Sequence, residues 1–344
     1  MNQRATWADW VRVIASFLVV VIHTSAPLLP RFGTLSSTDW WVANIFDSAS
    51  RVSVPLFLML TGFLLLGKTE PLGQFLQKRL VKVAIPLLVW SVIYLVWSTY
   101  LGGDEMKLRN FARILYQPAY YHLWYFYALI GLYLFIPILR ILASNAEKKF
   151  LFYFVGIWFV AASFFPMVES INDLNFEWDF RFIGGFVGYL VLGTLIGQWQ
   201  FGKKGILIAW IVLLLSLSFT IIATGWASGG ASEFDGQFYK YLSPNIILAA
   251  GSSFLLIRML FSKIQWNDRW EKVLSELGMA SLGIYVIHPI VLFYLQKGLL
   301  GRSLSADISP ALLSIPATVL AAYLISLALV LAMRKIPVIR AIVP

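Results

Sequence analysis

The chain has 344 residues, 59% of them hydrophobic and only 13% charged, with a formal net charge of +10 and a mean hydropathy of +0.77. Soluble domains carry roughly 25% charged residues, so this composition excludes an ordinary water-soluble protein and makes lipid the expected solvent. The absence of cysteine excludes disulfides, thiolate metal sites and a cysteine nucleophile. The positive charge, which in a soluble domain would point to nucleic acid, is read instead by its placement along the chain.

Ten apolar stretches follow one another at residues 11–30, 43–66, 80–100, 119–142, 150–166, 183–200, 205–224, 241–261, 280–298 and 310–333. Each approaches the ~20 residues that span a bilayer core, and the fifth and sixth are the shortest. The runs are continuously apolar and do not alternate, which predicts helices and not a barrel. The expected fold is all-α: a polytopic membrane protein of about ten transmembrane helices. No loop is long enough for a separate soluble unit, so residues 1–344 are expected to form one domain. The first stretch can be read as a signal peptide, with Ser25-Ala26 as a weak cleavage site, but nine further stretches favour a first transmembrane helix. With a cytoplasmic N-terminus, 18 of the 27 Lys and Arg residues fall on the cytoplasmic side. An even number of spans returns the basic C-terminus there.

The first stretch contains "RVIASFLVVVIH", from Arg12 to His23. Eleven steps of ~100° return a helix to within about 20° of its start, so Arg12 and His23 share one stripe, ~16 Å apart along the axis. Ser16 and Val20 continue the stripe, and Asp9, one turn before Arg12, can pair with it. An ionisable group inside a membrane is a functional candidate by default; the competing reading is an imidazole hydrogen-bonded between helices. In the second stretch Arg51 lies one or two turns inside, with Asp47 four residues earlier to hold it. There the alternative is an arginine that snorkels to the interface. Lys78, Arg79 and Lys82 sit on neighbouring faces at the start of the third stretch, as an anion clamp or as plain positive-inside bias. His122 and Trp124 open the fourth stretch. Tyr285 and His288, one turn apart, lie in the ninth, where Tyr285 offers either a buried hydroxyl or packing. These three histidines are the only ones in the chain. A zinc site is disfavoured, because neither HExxH nor a similar spacing occurs and no carboxylate accompanies His288. The loops on the outer side carry Asp104, Glu105, Glu169, Asp173, Glu177, Asp179, Glu233 and Asp235. "INDLNFEWDF" (171–180) mixes carboxylates with aromatics, as a sugar-binding surface or as an interfacial belt.

The segments "DWVRVIASFLVVVIH", "VPLFLMLTGFLLLG", "FLQKRLVKVAIP", "YHLWYFYALIGLYL" and "SLGIYVIHPIV", in this order, resemble the successive signatures of the bacterial integral-membrane acyltransferase-3 family. "SASRVSVPLFLMLTGFLLLG" and "YHLWYF" look closest to the branch that O-acetylates the enterobacterial common antigen. The resemblance implies a multi-pass protein of the bacterial cytoplasmic (inner) membrane. It would move an acetyl group from cytoplasmic acetyl-CoA, as co-substrate, to a hydroxyl of a surface-glycan sugar or its lipid-linked precursor. Partners would be acetyl-CoA, the glycan acceptor and the bilayer, with no nucleic acid and no metal. Arg12 and His23 match the family's Arg-x10-His motif, with His23 in the catalytic place. Arg79-Leu80-Val81-Lys82 matches its Arg-x-x-Arg with lysine in the second position, which keeps the charge and loses the bidentate fork. Thr61-Gly62 stands for its usual Ser-Gly. No appended esterase-like domain is expected, which makes this the minimal form.

In that chemistry a sugar hydroxyl needs a base as it attacks the thioester. His23 serves either as that base or as an acyl carrier. The tetrahedral intermediate needs a donor near its oxygen, for which Arg51 is the candidate and His122 the next. Arg12, Lys78, Arg79 and Lys82 would hold the coenzyme's phosphates, with Asp9, Asp47, Trp124, Tyr285 and His288 in support. A polytopic transporter, or a flippase-associated protein for glycan or lipid precursors, is the alternative class.

Overall fold

The computed structural model describes residues 6–102, 108–172, 185–298, 301–308 and 310–343, and these contain helix and no strand. Nine helical segments among them are long and apolar enough to cross a membrane: Thr6–Arg31, Ser37–Leu65, Leu72–Leu101, Tyr121–Asn145, Lys148–Ile171, Lys203–Ala231, Gln237–Phe261, Asp268–Gln296 and Ala311–Met333. They coincide with nine of the ten predicted stretches. Of the sixth stretch, residues 183 and 184 lie outside the described residues, and the described part is helical over Val187–Gln198, 12 residues or about 18 Å at 1.5 Å per residue, less by itself than the ~30 Å hydrocarbon layer.

In chain order the helices that matter here are α1 (Thr6–Ser25), α2 (Ser37–Ser50), α3 (Ser53–Leu65), α4 (Leu72–Gly102), α5 (Leu108–Arg113), α6 (Trp124–Asn145), α7 (Lys148–Phe159), α8 (Phe165–Asn172), α9 (Val187–Gln198), α10 (Lys203–Ala231), α11 (Pro244–Phe261), α12 (Asp268–Gln296) and α13 (Ala311–Met333). Ser36 caps α2 by accepting from the Asp39 amide at 3.1 Å, and Asn267 caps α12 by accepting from the Trp270 amide at 3.0 Å. Each satisfies an amide that the first turn leaves without a helical partner. α12 begins twelve residues before the predicted ninth stretch because its first turns, which carry Asp268, Glu271 and Glu276, are polar and lie outside the apolar window.

The second span is not one continuous helix. α2 ends at Ser50, Arg51 and Val52 form a turn, and α3 starts at Ser53. Pro55 sits in the first turn of α3, where its missing N–H costs no helical bond, whereas in an unbroken helix it would remove one. Arg51 therefore stands at a helix junction and not inside a helix.

α1 is central, packed against α2, α3, α11, α12 and α13. Val11, Ala15 and Val20 are fully enclosed, so the histidine and arginine of its stripe are positioned by core packing and not by lipid. α9 lies backbone to backbone on α3: a Cβ on Gly62 would fall 1.9 Å from the Leu190 carbonyl oxygen, and one on Gly193 2.0 Å from that of Met59. Small residues permit this approach where lipid supplies no hydrophobic drive between helices. α10 presents Leu214, Leu215, Ile222 and Trp226 outward, an apolar face suited to lipid.

Candidate functional site

The three histidines converge from distant parts of the chain. His23 comes from the last turn of α1, His122 from the 3-10 turn Tyr121–Leu123 that leads into α6, and His288 from α12. Their ring centroids are 4.9 Å apart for His23 and His288, 5.7 Å for His122 and His288, and 6.5 Å for His23 and His122. Among the described residues, no group of three or more His, Asp or Glu side chains is arranged to hold a metal ion.

One hydrogen-bond chain fixes the tautomers. His288 Nδ1 lies 3.1 Å from the Ile284 carbonyl oxygen, which only accepts, so Nδ1 carries the proton. In the neutral ring that leaves His288 Nε2 as an acceptor. His23 Nδ1 lies 2.6 Å from it and must donate, which leaves His23 Nε2 with a bare lone pair. Pro289 has no N–H, so the Tyr285 carbonyl lacks its helical donor, while α12 runs unbroken through this position.

His122 is fully buried, with both ring nitrogens lacking a hydrogen-bond partner of good geometry. Tyr94, Tyr120, Tyr121 and Tyr285 surround it, the nearest ring centroid at 4.9 Å. Its backbone is tied to α12 by the Tyr285 hydroxyl, which donates to the His122 carbonyl oxygen.

A second constellation flanks this one. The Arg51 Nε donates to Asp47 Oδ1 at 2.5 Å, and Ser25 Oγ, two residues after His23, donates to Asp47 Oδ2 at 3.1 Å. The guanidinium sits 4.4 Å from the Tyr239 ring centroid. Trp124 stacks on Tyr241 at 5.6 Å and 27°. Arg51 is thus held by the Asp47 carboxylate and against the Tyr239 ring.

Toward the other end of α1 lies a cavity of about 280 Å³. Its charged lining is cationic, Arg12, Arg79 and Lys82, with Thr61, Ser281, Tyr125, Tyr133 and Tyr285 among the remaining wall. Asp9, itself buried, pairs with Arg12 and packs against Gly278 of α12. Arg79 and Lys82 thus face the cavity, while the Lys78 ammonium is 3.5 Å from Glu70 and does not line it. Glu70 and Arg140 were not singled out in the sequence. Arg140 places its guanidinium 4.2 Å from the Phe75 ring, donates from Nε to the Leu65 carbonyl at 2.8 Å, and with Arg79 flanks Glu70 at 3.5 and 3.4 Å. Desolvation pushes the Glu70 carboxyl up, but Arg79, Lys78 and Arg140 outweigh it and hold the group below the ordinary carboxylate range.

His23 lines a separate, smaller cavity at its own end of α1. Among the acidic positions predicted on the outer loops, Asp104, Glu105, Asp173, Glu177 and Asp179 lie outside the described residues. Neither Glu233 nor Asp235 lines this cavity or the cationic one.

The family described as "Acyltransferase domain" matches residues 5–331. An amino-acid racemase of Enterococcus faecalis is 26% identical over 313 residues, 85% of this chain and 42% of that protein. The chain thus spans less than half of that relative's length. The inner membrane protein YcfT of Escherichia coli is 22% identical over 90% of this chain and 86% of its own. The nodulation protein NolL of Mesorhizobium japonicum is 23% identical over 84% and 77%. No solved structure matches the chain.

Proposed function

The chain belongs to the acyltransferase-3 family, and on that premise we propose that it moves an acetyl group from acetyl-CoA to a sugar hydroxyl of a surface glycan or its lipid-linked precursor. The observation that carries this reading is the bare Nε2 of His23, left so by the hydrogen-bond chain through His288 to Ile284. A neutral imidazole with one free lone pair, held by its other nitrogen, is the form a general base needs. The acceptor O–H gives its proton to His23 Nε2 while its oxygen bonds to the thioester carbonyl carbon. The C–S bond breaks, and the leaving thiolate takes the proton back. The same nitrogen can instead form an acyl-imidazole and pass the acyl group on.

The cation-lined cavity supports a phosphate-bearing donor. Its volume of about 280 Å³ falls at the lower edge of the ~300–1,000 Å³ usual for small-molecule sites. It therefore suits the acyl-bearing arm, with the charged nucleotide at the mouth beside Arg79, Lys82 and Arg12. Arg51, oriented by Asp47 and Tyr239, is the group proposed to face the developing oxyanion. The inner membrane is the proposed site of action, a setting favoured by nine apolar spans and by the name of the E. coli relative. The racemase activity in the Enterococcus protein's name is not carried over to a chain that spans 42% of it.

The test is acetyl release from radiolabelled acetyl-CoA by the purified protein, with mass spectrometry of surface glycans from cells with and without it. Turnover and an acetyl mark lost with the protein would support the reading. Binding of glycan precursors without any turnover would favour the transporter or flippase-associated class.

A further inference from the structure

The cavity at the His23 end of α1 has a volume of about 70 Å³, room for roughly two waters at ~30 Å³ each. Its polar wall is Gln296 of α12, Ser305 and Asp307 of the following loop, Thr318 of α13, and His23 and Thr24 of α1. It lies at the opposite end of the α1–α12 seam from the cationic cavity. Arg12, Ser281 and Tyr285 line one; His23, Leu292 and Gln296 line the other. We propose that this smaller cavity is the acceptor site, in which Asp307, Gln296 and Thr318 hold a neutral, hydroxyl-bearing edge of a sugar against His23, so that donor and acceptor approach from opposite ends. The proposal rests on the acyl-transfer reading above.

Three features fit it. Thr318 Oγ1 is buried and has no hydrogen-bond partner. A buried hydroxyl left unpaired is costly, and a substrate hydroxyl would satisfy it. Asp307 is a prepared acceptor, fixed by Arg31 Nη1 at 2.7 Å, Gln296 Nε2 at 3.3 Å and Ser305 Oγ at 3.3 Å. Its carboxylate has capacity for a further hydroxyl, and Gln296 can both donate and accept. The charge also discriminates. Arg31 is engaged by Asp307, so an incoming phosphate or carboxylate would meet the Asp307 charge and no free cation in the cavity wall. The size admits a hydroxymethyl group or one ring edge, with the rest of the glycan outside.

The chain has no cysteine, which makes single reporters clean. Ala306→Cys and Leu64→Cys place a thiol in the wall of the smaller and the larger cavity without removing a polar side chain. In sealed membrane vesicles of both orientations, a charged, membrane-impermeant methanethiosulfonate should modify the two from opposite faces. Modified Ala306→Cys should transfer at least tenfold less acetyl to the glycans of native membranes than the same variant unmodified. Its affinity for acetyl-CoA by equilibrium dialysis should stay within twofold. Thr318→Val should slow transfer at limiting acceptor membranes and recover as more are added. Labelling of both reporters from one face, no labelling of Ala306→Cys, or full transfer after its modification would overturn the proposal. If the unmodified natural chain neither binds nor consumes acetyl-CoA, the enzymatic reading itself fails. If it turns over normally and modified Ala306→Cys does too, only the acceptor site is rejected.

Discussion

His288 holds His23 through a single hydrogen bond of 2.6 Å between Nε2 and Nδ1, across 265 residues of sequence. The bond makes His288 a positioning residue for the proposed reaction: it orients the ring of His23 and keeps the proton on Nδ1. A partner of this kind is worth as much as the tautomer it enforces.

His288→Ala should therefore lower kcat at least ~10-fold, a fraction of the ~10²–10⁴ attributed to general-base catalysis, with acetyl-CoA binding unchanged. His288→Gln, whose amide oxygen can accept from His23 Nδ1, should recover part of the loss. Steady-state kinetics with donor titration checks both. An alanine variant at full rate would mean that something other than His288 orients His23.

Arg51 is held by Asp47 and the Tyr239 ring in a way a lysine cannot reproduce, because the planar fork is what both partners grip. Arg51→Lys should reduce kcat roughly 10-fold or more with little change in donor affinity, since loss of one oxyanion donor typically costs ~10²–10³. Equal rates at matched expression would assign Arg51 to structure alone.

Arg79→Ala and Lys82→Ala should raise the KM for acetyl-CoA more than they lower kcat, because a remote phosphate contact is made equally before and during reaction. Lys82→Arg should be tolerated. Lys78→Ala should have the smallest effect of the three, because Lys78 faces Glu70 and not the cavity. Saturation curves in acetyl-CoA decide it, and an equal effect at all three positions would reduce them to a topological charge cluster.

Much of this was legible in the sequence. Continuous apolar runs located nine spans, because a helix in lipid must be apolar over its whole crossing. The Arg12–His23 stripe and the Asp47–Arg51 pair followed from helical periodicity, which is local. The break at Arg51 was signalled by Pro55, but an apolar window averages over it. The pairing of His23 with His288, the Glu70–Arg140 contact and the cavity lined by Gln296, Asp307 and Thr318 depend on which helices are neighbours, and spacing along one helix carries no such information. In the sixth stretch Gly193 and Gly197 serve close packing on α3, a role that apolarity alone does not signal.

Gly62→Val should destabilise the fold, because its Cβ would lie 1.9 Å from backbone that has no side-chain freedom to yield. The loss should reach or exceed the ~1–3 kcal/mol typical of overpacking. Gly67→Ala, with nothing within 4 Å of its new Cβ, is the control. Thermal unfolding in detergent, followed by size-exclusion chromatography, should separate the two; equal stability would contradict the close α3–α9 approach.

The most direct test is the rate of acetyl transfer from acetyl-CoA by His23→Ala, compared with the natural chain at equal protein levels in the same membranes. With Nε2 as base or acyl carrier, the variant should lose at least ~10²-fold in rate while its affinity for acetyl-CoA stays within about twofold, since His23 does not line the cationic cavity. A variant that folds, binds acetyl-CoA and transfers acetyl at close to the natural rate would contradict the assignment of His23 as the reactive group.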